Sequence, residues 1–294
     1  MTKVEARFEI THRDKIFFPE AGYTKGDLVE YYRRVMPFIL PYVKDRPHNL
    51  LRQPNGYKGK SFFQKDVAGV VPKWVKTASI YSESNQRNIK YYHCDSPDSL
   101  LYEVQLGCIE INPWNSRVKK LKKPDWIVID LDPEDISFQK VVKVALEVKK
   151  LTDELKIPTY PKTSGKTGIH IYIPTKAAYS YEQAKQLAQL LANVVNQKLP
   201  DITSVTRDPA KRQKRVYLDF LQNREGQTLA APYSVRPTKE ASVSTPLHWD
   251  EVNDKLDPSK FTIKNIFKRL DKEGDLWKPV LKQKVDIKAV LSKL

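Results

Sequence analysis

The spacing of apolar side chains changes several times along this chain, and each change marks an element. Residues 24–36 (TKGDLVEYYRRVM) carry apolar side chains at helical spacing behind a capping Thr24 or Asp27, and Pro37 and Pro41 are expected to end that helix. Residues 88–93 and 100–112 read as strands, the latter (LLYEVQLGCIEIN) alternating well in its second half. Trp126 to Leu131 is a nearly continuous apolar run between two prolines, which suits a strand buried on both faces. A helix from about Phe138 to Leu155 follows, then a strand Ile169–Ile173 closed by Pro174, a helix from Tyr181 to Lys198 and a strand Arg215–Leu221. The last fifty residues mix a loop with short helices. Strand, helix, strand, helix, strand predicts an α+β or α/β core whose central sheet, mixed or antiparallel, is flanked by helices.

Composition narrows the setting. With 294 residues the chain forms one large domain or two closely packed ones, and a hydrophobic fraction of 40% makes it globular. No apolar run approaches the roughly 18–20 residues that cross a bilayer, and the charged opening MTKVEARFEI lacks a signal-peptide core. Two cysteines, Cys94 and Cys108, cannot build a disulfide framework, so a cytoplasmic location is expected; with His93 they also lack the paired spacing of a zinc knuckle. Lys and Arg number 51 against 35 Asp and Glu, a net charge of +16. An excess of that size favours a polyanion, with nucleic acid the first candidate and a merely solubilising surface the plain alternative.

The charge is clustered. Between Lys44 and Lys76 basic residues interleave with Tyr57, Phe62, Phe63 and Trp74, a pattern that holds a backbone while rings stack on bases. Further clusters run from Arg117 to Lys123 and through Arg207, Lys211, Arg212, Lys214 and Arg215. Between them lie the candidate catalytic acids. Asp130 and Asp132 sit two apart on a strand and so share a face, while Asp219 is a third acid in an apolar strand. Carboxylates brought together repel unless a cation joins them, and hard oxygen ligands suit Mg²⁺ or Mn²⁺, two of which would support phosphoryl transfer. Asp-x-Asp also occurs in sugar-nucleotide transferases and in plain turns. Gly165-Lys166-Thr167 resembles the end of a P-loop, but position 160 is Tyr and a strand follows instead of a helix. A Gly-rich turn between strands can still present N–H groups, Ser164 and Lys166 to a triphosphate, with His170 beside it; His170 as a satisfied core histidine is the alternative.

Together WIVIDLDP, KTSGKTGIHIYIP, RVYLDFLQN and APYSVRP resemble the polymerase domain of bacterial ligase D, a branch of the archaeo-eukaryotic primase superfamily. The likeness extends from ITHRDKIFFP through DRPHNLLRQPNG and SFFQKD to about residue 280. It implies a single primase-polymerase domain over 1–294: a DNA-end and template-binding part over 1–120, a catalytic core over 121–240 against which that α/β part packs, and a helical and loop extension over 241–294. The implied activity is template-directed nucleotide addition in end joining, preferring ribonucleotides and favouring manganese, with NTPs or dNTPs as substrate. Asp130, Asp132 and Asp219 match metal ligands, and His170 joins them as a catalytic residue. Arg52, Ser164, Lys166, His170, Gln222, Ser234 and Arg236 match nucleotide-binding positions, although the family's lysine can sit one place later, at Thr167. Lys15 and Lys25 match a pair that holds a 5′-phosphate at gaps or ends, Phe62 and Phe63 match aromatics at the template bend, and Arg212 lies in a loop expected to approach DNA. Implied partners are DNA, the Ku end-binding protein and a separate DNA ligase, in a prokaryotic, nucleoid-associated setting.

One departure stands out. The family usually reads E-x-H-x-W, and here Asn112 replaces the histidine in Glu110-Ile111-Asn112-Pro113-Trp114, an amide that hydrogen-bonds but does not move protons near pH 7. No K-x-D-G tetrapeptide of a ligase nucleophile occurs, so nick sealing is not expected of the chain itself. Rival readings are a nucleic-acid clamp with idle acids and a metal-dependent nuclease.

Overall fold

Ser, Thr and Pro punctuate the chain where the apolar periodicity switches, and the elements fall between these marks. In the computed structural model, which describes residues 7–83 and 85–292, they are in chain order β1 (Ile16–Phe18), β2 (Tyr23–Thr24), α1 (Lys25–Val43), β3 (Arg46–His48), β4 (Leu50–Arg52), β5 (Phe62–Gln64), β6 (Thr77–Ser82), β7 (Arg87–Cys94), α2 (Pro97–Gln105), β8 (Trp126–Pro133), α3 (Phe138–Glu154), β9 (Tyr160–Thr163), β10 (Ile169–Pro174), α4 (Tyr181–Lys198), β11 (Thr203–Ser204), β12 (Val216–Asp219), α5 (Ile266–Glu273) and α6 (Ile287–Leu291). The first six residues of the charged opening lie outside the described residues. The fold is a mixed α+β one. No helix among the described residues is long and apolar enough to cross a membrane.

The chain divides into two compact units. The first comprises residues up to Lys119 with Thr228–Ser244 and Ser259–Lys272. It holds the antiparallel sheet β3-β7-β6 and the ribbons β1-β2 and β4-β5. Its long helix, α1, starts at a capping box in which Thr24 and Asp27 exchange hydrogen bonds. Pro37 and Pro41 do not end it: α1 runs through both to Val43. Both prolines lie on the exposed side, so the backbone carbonyls they leave without a donor face water, while Tyr32, Val35, Ile39 and Tyr42 keep the other side fully buried. The Tyr31 hydroxyl donates to the carbonyl of Tyr233 at 2.7 Å and that of Tyr32 to Ile109 at 2.7 Å, tying distant segments to the helix. The strand expected over 100–112 is also corrected. Ser96 caps a helix that begins at Pro97, and Leu100, Leu101 and Val104 bury its inner side. Beyond it, Cys108–Asn112 forms no strand; Cys108 makes a single bridge to Arg52, and the following Pro113 makes one to His48. Cys94 and Cys108 are free, buried thiols.

The second unit, Lys120–Gln227 with Thr245–Pro258 and the residues after Lys272, is built on one five-stranded sheet in the order β11-β12-β8-β10-β9. All its pairings are antiparallel except the short one between β11 and β12. Ile127, Ile129, Leu131, Ile169, Ile171, Ile173 and Leu218 are fully buried on one face, where α3 and α4 pack. The register then assigns the opposite face. Side chains alternate along each strand, so Asp130, Asp132, His170, Tyr217 and Asp219 share it. β9, unrecognised in the sequence because Pro161 interrupts it, is an edge strand, the place where a residue lacking an N–H does least harm.

β12 stops at Asp219, opposite Asp130, and leaves the first half of β8 uncovered on that side. A side chain takes over where it ends. Asn223 accepts from the Val128 N–H at 2.8 Å and donates to the Val128 carbonyl at 2.7 Å and that of Phe220 at 2.9 Å. Its amide stands in for the missing strand. Asn223→Ala leaves a buried N–H and a buried C=O without partners, so it should lower unfolding free energy by about 2–4 kcal/mol. Urea denaturation measures this; a loss below about 1 kcal/mol would show that water satisfies Val128 instead.

Candidate active site

Antiparallel pairing sets the acids in a row. On the polar face of the second unit's sheet, Asp130 is directly opposite Asp219 on one side and His170 on the other, with Lys162 of β9 opposite His170. One step along, Asp132 faces Tyr217. Asp130 is 9% exposed, and His170 Nε2 lies 3.4 Å from its Oδ1. Asp219 is held by local donors: the Leu221 N–H at 2.8 Å, Gln222 Nε2 at 3.1 Å and the Tyr217 hydroxyl at 3.3 Å. Arg212 Nη1 is 3.8 Å from Asp132 Oδ2, and its guanidinium lies 3.9 Å from the centre of the Tyr217 ring. The loop carbonyls of Thr206 and Arg207 accept from the same guanidinium.

These surroundings disfavour ionised carboxylates. Burial raises the pKa of Asp219 against the pull of its donors. Partial loss of water raises that of Asp132, Arg212 opposing the shift and the charge of Asp219 adding to it. Among the described residues no three His, Cys, Asp or Glu side chains already form a closed cage for a metal. An open row of carboxylates suits instead a hard cation that keeps water and takes further oxygen ligands from a substrate, and such a cation relieves the cost of holding the acids ionised. The donor set therefore fits Mg²⁺ or Mn²⁺, which Asp130, Asp132 and Asp219 would hold.

Beside the row, the turn between β9 and β10 is shaped by two residues. Ser164 Oγ accepts from the N–H groups of Lys166 at 3.1 Å and Gly168 at 3.0 Å, and the Ser164 N–H donates to the Gly168 carbonyl. A Cβ on Gly168 would meet the Leu131 carbonyl oxygen at 2.4 Å, so only glycine lets the turn lie on β8. Gly165 takes φ +78°, leaving Lys166 and Thr167 exposed at the tip. Of the residues singled out in the sequence, Asp130, Asp132, Asp219, His170, Ser164, Lys166, Gln222 and Arg212 all lie in this unit. The same face also carries Tyr217, which alternation from Asp219 would have flagged, and buried Lys162, neither of which the sequence singled out.

The other predicted residues belong to the first unit. Lys15, Lys25 and Arg52 line one cavity of about 220 Å³ together with Thr11, His12 and Gln105, which the sequence did not single out. Lys25 Nζ donates to the Thr11 carbonyl at 3.0 Å, and Lys15 Nζ to Asn55 Oδ1. Burial, and then the charge of Lys15, lowers the pKa of Lys25 to about 8. Arg52 also donates to Gln64 and to the Leu106 carbonyl, with its guanidinium 5.4 Å from the Phe62 ring. Phe62 and Phe63 are 42% and 66% exposed on the β4-β5 ribbon. Ser234 is fully buried, and its hydroxyl accepts from the Ile111 N–H at 2.8 Å. Arg236 Nε lies 3.1 Å from Glu110 Oε2, and the Asn112 amide donates to Glu110 Oε1 at 3.1 Å.

An α+β sheet that presents three acids and a histidine on its polar face, with a glycine turn at the end of the neighbouring strand, is a framework on which nucleotidyltransferases are built. Residues 24–277 match the family model "LigD, primase-polymerase domain", and the chain belongs to that family. It is 35% identical over 273 residues to the bifunctional non-homologous end joining protein LigD of Bacillus subtilis (strain 168), covering 92% of this chain and 44% of that protein. It is 32% identical over 278 residues to the multifunctional LigD of Mycolicibacterium smegmatis, covering 93% of this chain and 36% of that protein. The chain therefore spans less than half the length of these relatives. Among solved structures, the polymerase domain of Mycobacterium tuberculosis ligase D in complex with DNA superposes with a TM-score of 0.86 at 28% identity, covering 96% of this chain and all of that one.

The placement of His170 gives a direct test. A histidine that serves the reaction from beside Asp130 makes His170→Ala lose nucleotide incorporation by at least about tenfold, or about 1.4 kcal/mol, while DNA affinity stays unchanged. A histidine that only fills the core gives a lowered Tm with kinetics per folded molecule unchanged.

Proposed function

We propose that this chain is a template-directed polymerase that fills gaps and extends ends during non-homologous end joining, with ribonucleotides preferred. The observation that carries this reading is the row Asp219, Asp130 and His170, with Asp132 one step along, lying beside the Ser164–Gly168 turn. In it Asp130, Asp132 and Asp219 hold two divalent ions, manganese favoured over magnesium. When bound, the ions supply the positive charge that an attacking hydroxyl and a triphosphate need to approach one another. The chain's own groups do the rest. The turn offers backbone N–H groups and Lys166 to the triphosphate, His170 donates to it from the adjacent strand, and Gln222 keeps the Asp219 carboxylate oriented. Arg52, Ser234 and Arg236 contribute to nucleotide recognition, Ser234 by fixing backbone through its saturated hydroxyl.

The first unit serves the DNA end. Lys15 and Lys25 hold a 5′-phosphate in their cavity, and exposed Phe62 and Phe63 stack on template bases. Arg212 belongs to a loop that approaches DNA from the second unit. Ku and a separate ligase complete the repair reaction, in the bacterial cytoplasm at the nucleoid. Membership of a polymerase family favours this reading over an inert clamp or a nuclease.

Asp130→Ala and Asp132→Ala should each abolish nucleotide addition to a primed gap while leaving DNA binding nearly intact, because the acids hold ions and the basic surfaces hold the strand. Addition above a few per cent of the unmutated level in either variant places the chemistry elsewhere.

A second prediction concerns pH. With Lys25 lowered to about 8, its charge is present at pH 7 and lost as pH rises through that value, whereas a bound phosphate dianion would hold the proton on. Binding above pH 8 must therefore take up a proton. The preference for a 5′-phosphorylated over a 5′-hydroxyl gap should shrink about tenfold between pH 7 and pH 9, and Lys15→Ala/Lys25→Ala should remove it at both. Fluorescence anisotropy with the two substrates measures the ratio; a preference independent of pH excludes Lys25 from the contact.

A further inference from the structure

Antiparallel pairing separates the two exposed phenylalanines of the β4-β5 ribbon. Arg52 stands opposite Phe62, Leu51 opposite Phe63 and Leu50 opposite Gln64. Residues directly opposite share a face and successive residues alternate, so Arg52, Phe62, Gln64 and fully buried Leu50 lie on one side of the ribbon, with Leu51 and Phe63 on the other. Only Phe62 has a cation on its own side.

That cation also lines the cavity of Lys15 and Lys25. Arg52 reaches it because β4 is held against the segment that follows α2. The Gln53 N–H donates to the Gly107 carbonyl at 2.7 Å, and Gly107, at φ +89°, approaches so closely that a Cβ there would meet Pro54 Cα at 2.9 Å. Three contacts then hold the guanidinium. Its Nε donates to the Leu106 carbonyl at 2.9 Å, its Nη1 donates to Gln64 Oε1 at 2.9 Å, and its carbon lies 5.4 Å from the centre of the Phe62 ring. Among the described residues Nη2 has no hydrogen-bond partner. The guanidinium is a planar fork, so a phosphate that accepts from Nη2 fixes the plane against which Phe62 rests. A ring already held in one orientation loses less freedom when a base stacks on it.

We propose that Arg52 is a positioning residue that links a phosphate in this cavity to the ring of Phe62, so that a 5′-phosphorylated end strengthens the stacking of a template base on Phe62 and leaves the contribution of Phe63 unchanged. The inference rests on the reading of the cavity as a 5′-phosphate site, and it adds to the nucleotide contact given to Arg52 above.

Fluorescence anisotropy of the full chain on two gapped duplexes, identical except for a 5′-phosphate or a 5′-hydroxyl at the gap, measures the link. Phe62→Leu should weaken binding at least about threefold more on the phosphorylated duplex than on the hydroxyl one. Phe63→Leu should weaken binding to both by the same factor. In an Arg52→Lys background, which keeps the charge and loses the fork, Phe62→Leu should cost the same on both duplexes. Gln64→Met repeats the test with Arg52 intact, since it removes the acceptor that ties Nη1 to the ribbon. A merely structural role for Arg52 lowers affinity for both duplexes by one factor and leaves the difference between them in place. Equal cost of Phe62→Leu on both duplexes in the unmutated background, or a difference that persists undiminished in either the Arg52→Lys or the Gln64→Met background, overturns the proposal while the preference of the cavity for phosphate stands. Equal affinity of the unmutated chain for the two duplexes removes the reading of the cavity and this inference with it.

Discussion

A carboxylate placed on the inner part of a sheet loses water that its neighbours must replace, and here that constraint organises a whole unit. Asp130 and Asp219 face each other across β8 and β12 because both strands must bury their isoleucines and leucines against α3 and α4. A slip of one residue would turn the acids into the apolar layer and the aliphatic side chains out. The packing energy of one face therefore fixes the geometry of the other. The same register brings His170 and Lys162 into line with the acids, so a single choice of pairing places every charged group of the row.

The remaining parts answer to the acids. Asp219 sits where β12 ends, and the chain reverses around it, so its own backbone donates through Leu221 and its neighbours through Gln222 and Tyr217. Arg212, stacked on Tyr217, stands against Asp132 from a loop whose own carbonyls hold the guanidinium. In the first unit the problem is inverted: Lys25 is a cation with too little water, beside Lys15, and an anion in their cavity would relieve it.

Much of this was legible in the sequence because it depends on alternation. Asp-x-Asp within an apolar run states that two acids share a face, and Gly165 and Gly168 state that the chain turns tightly between two strands. The structure departs from the sequence-based expectation where tertiary context overrides local signals. Leu100–Asn112 alternates in its second half, yet Ser96 and Pro97 start a helix ahead of it that claims the first half. Pro37 and Pro41 are helix breakers by chemistry, but on the side that faces water their missing donors cost little. Tyr160–Thr163 escaped notice because a proline hides a strand that lies at a sheet edge. The cavity partners His12, Thr11 and Gln105 come from segments about a hundred residues apart, and no periodicity in a chain reports such a meeting.

The turn after β9 is held at its two ends by the Ser164 hydroxyl and by the bare backbone of Gly168 resting on the Leu131 carbonyl. The two tip positions, Lys166 and Thr167, are exposed, so their side chains can vary between lineages. A lysine at either of these adjacent exposed positions, on a long flexible side chain, would deliver its charge to nearly the same point. Conservation at this turn should therefore concentrate in the serine and the second glycine, which shape it, while the position of the lysine wanders.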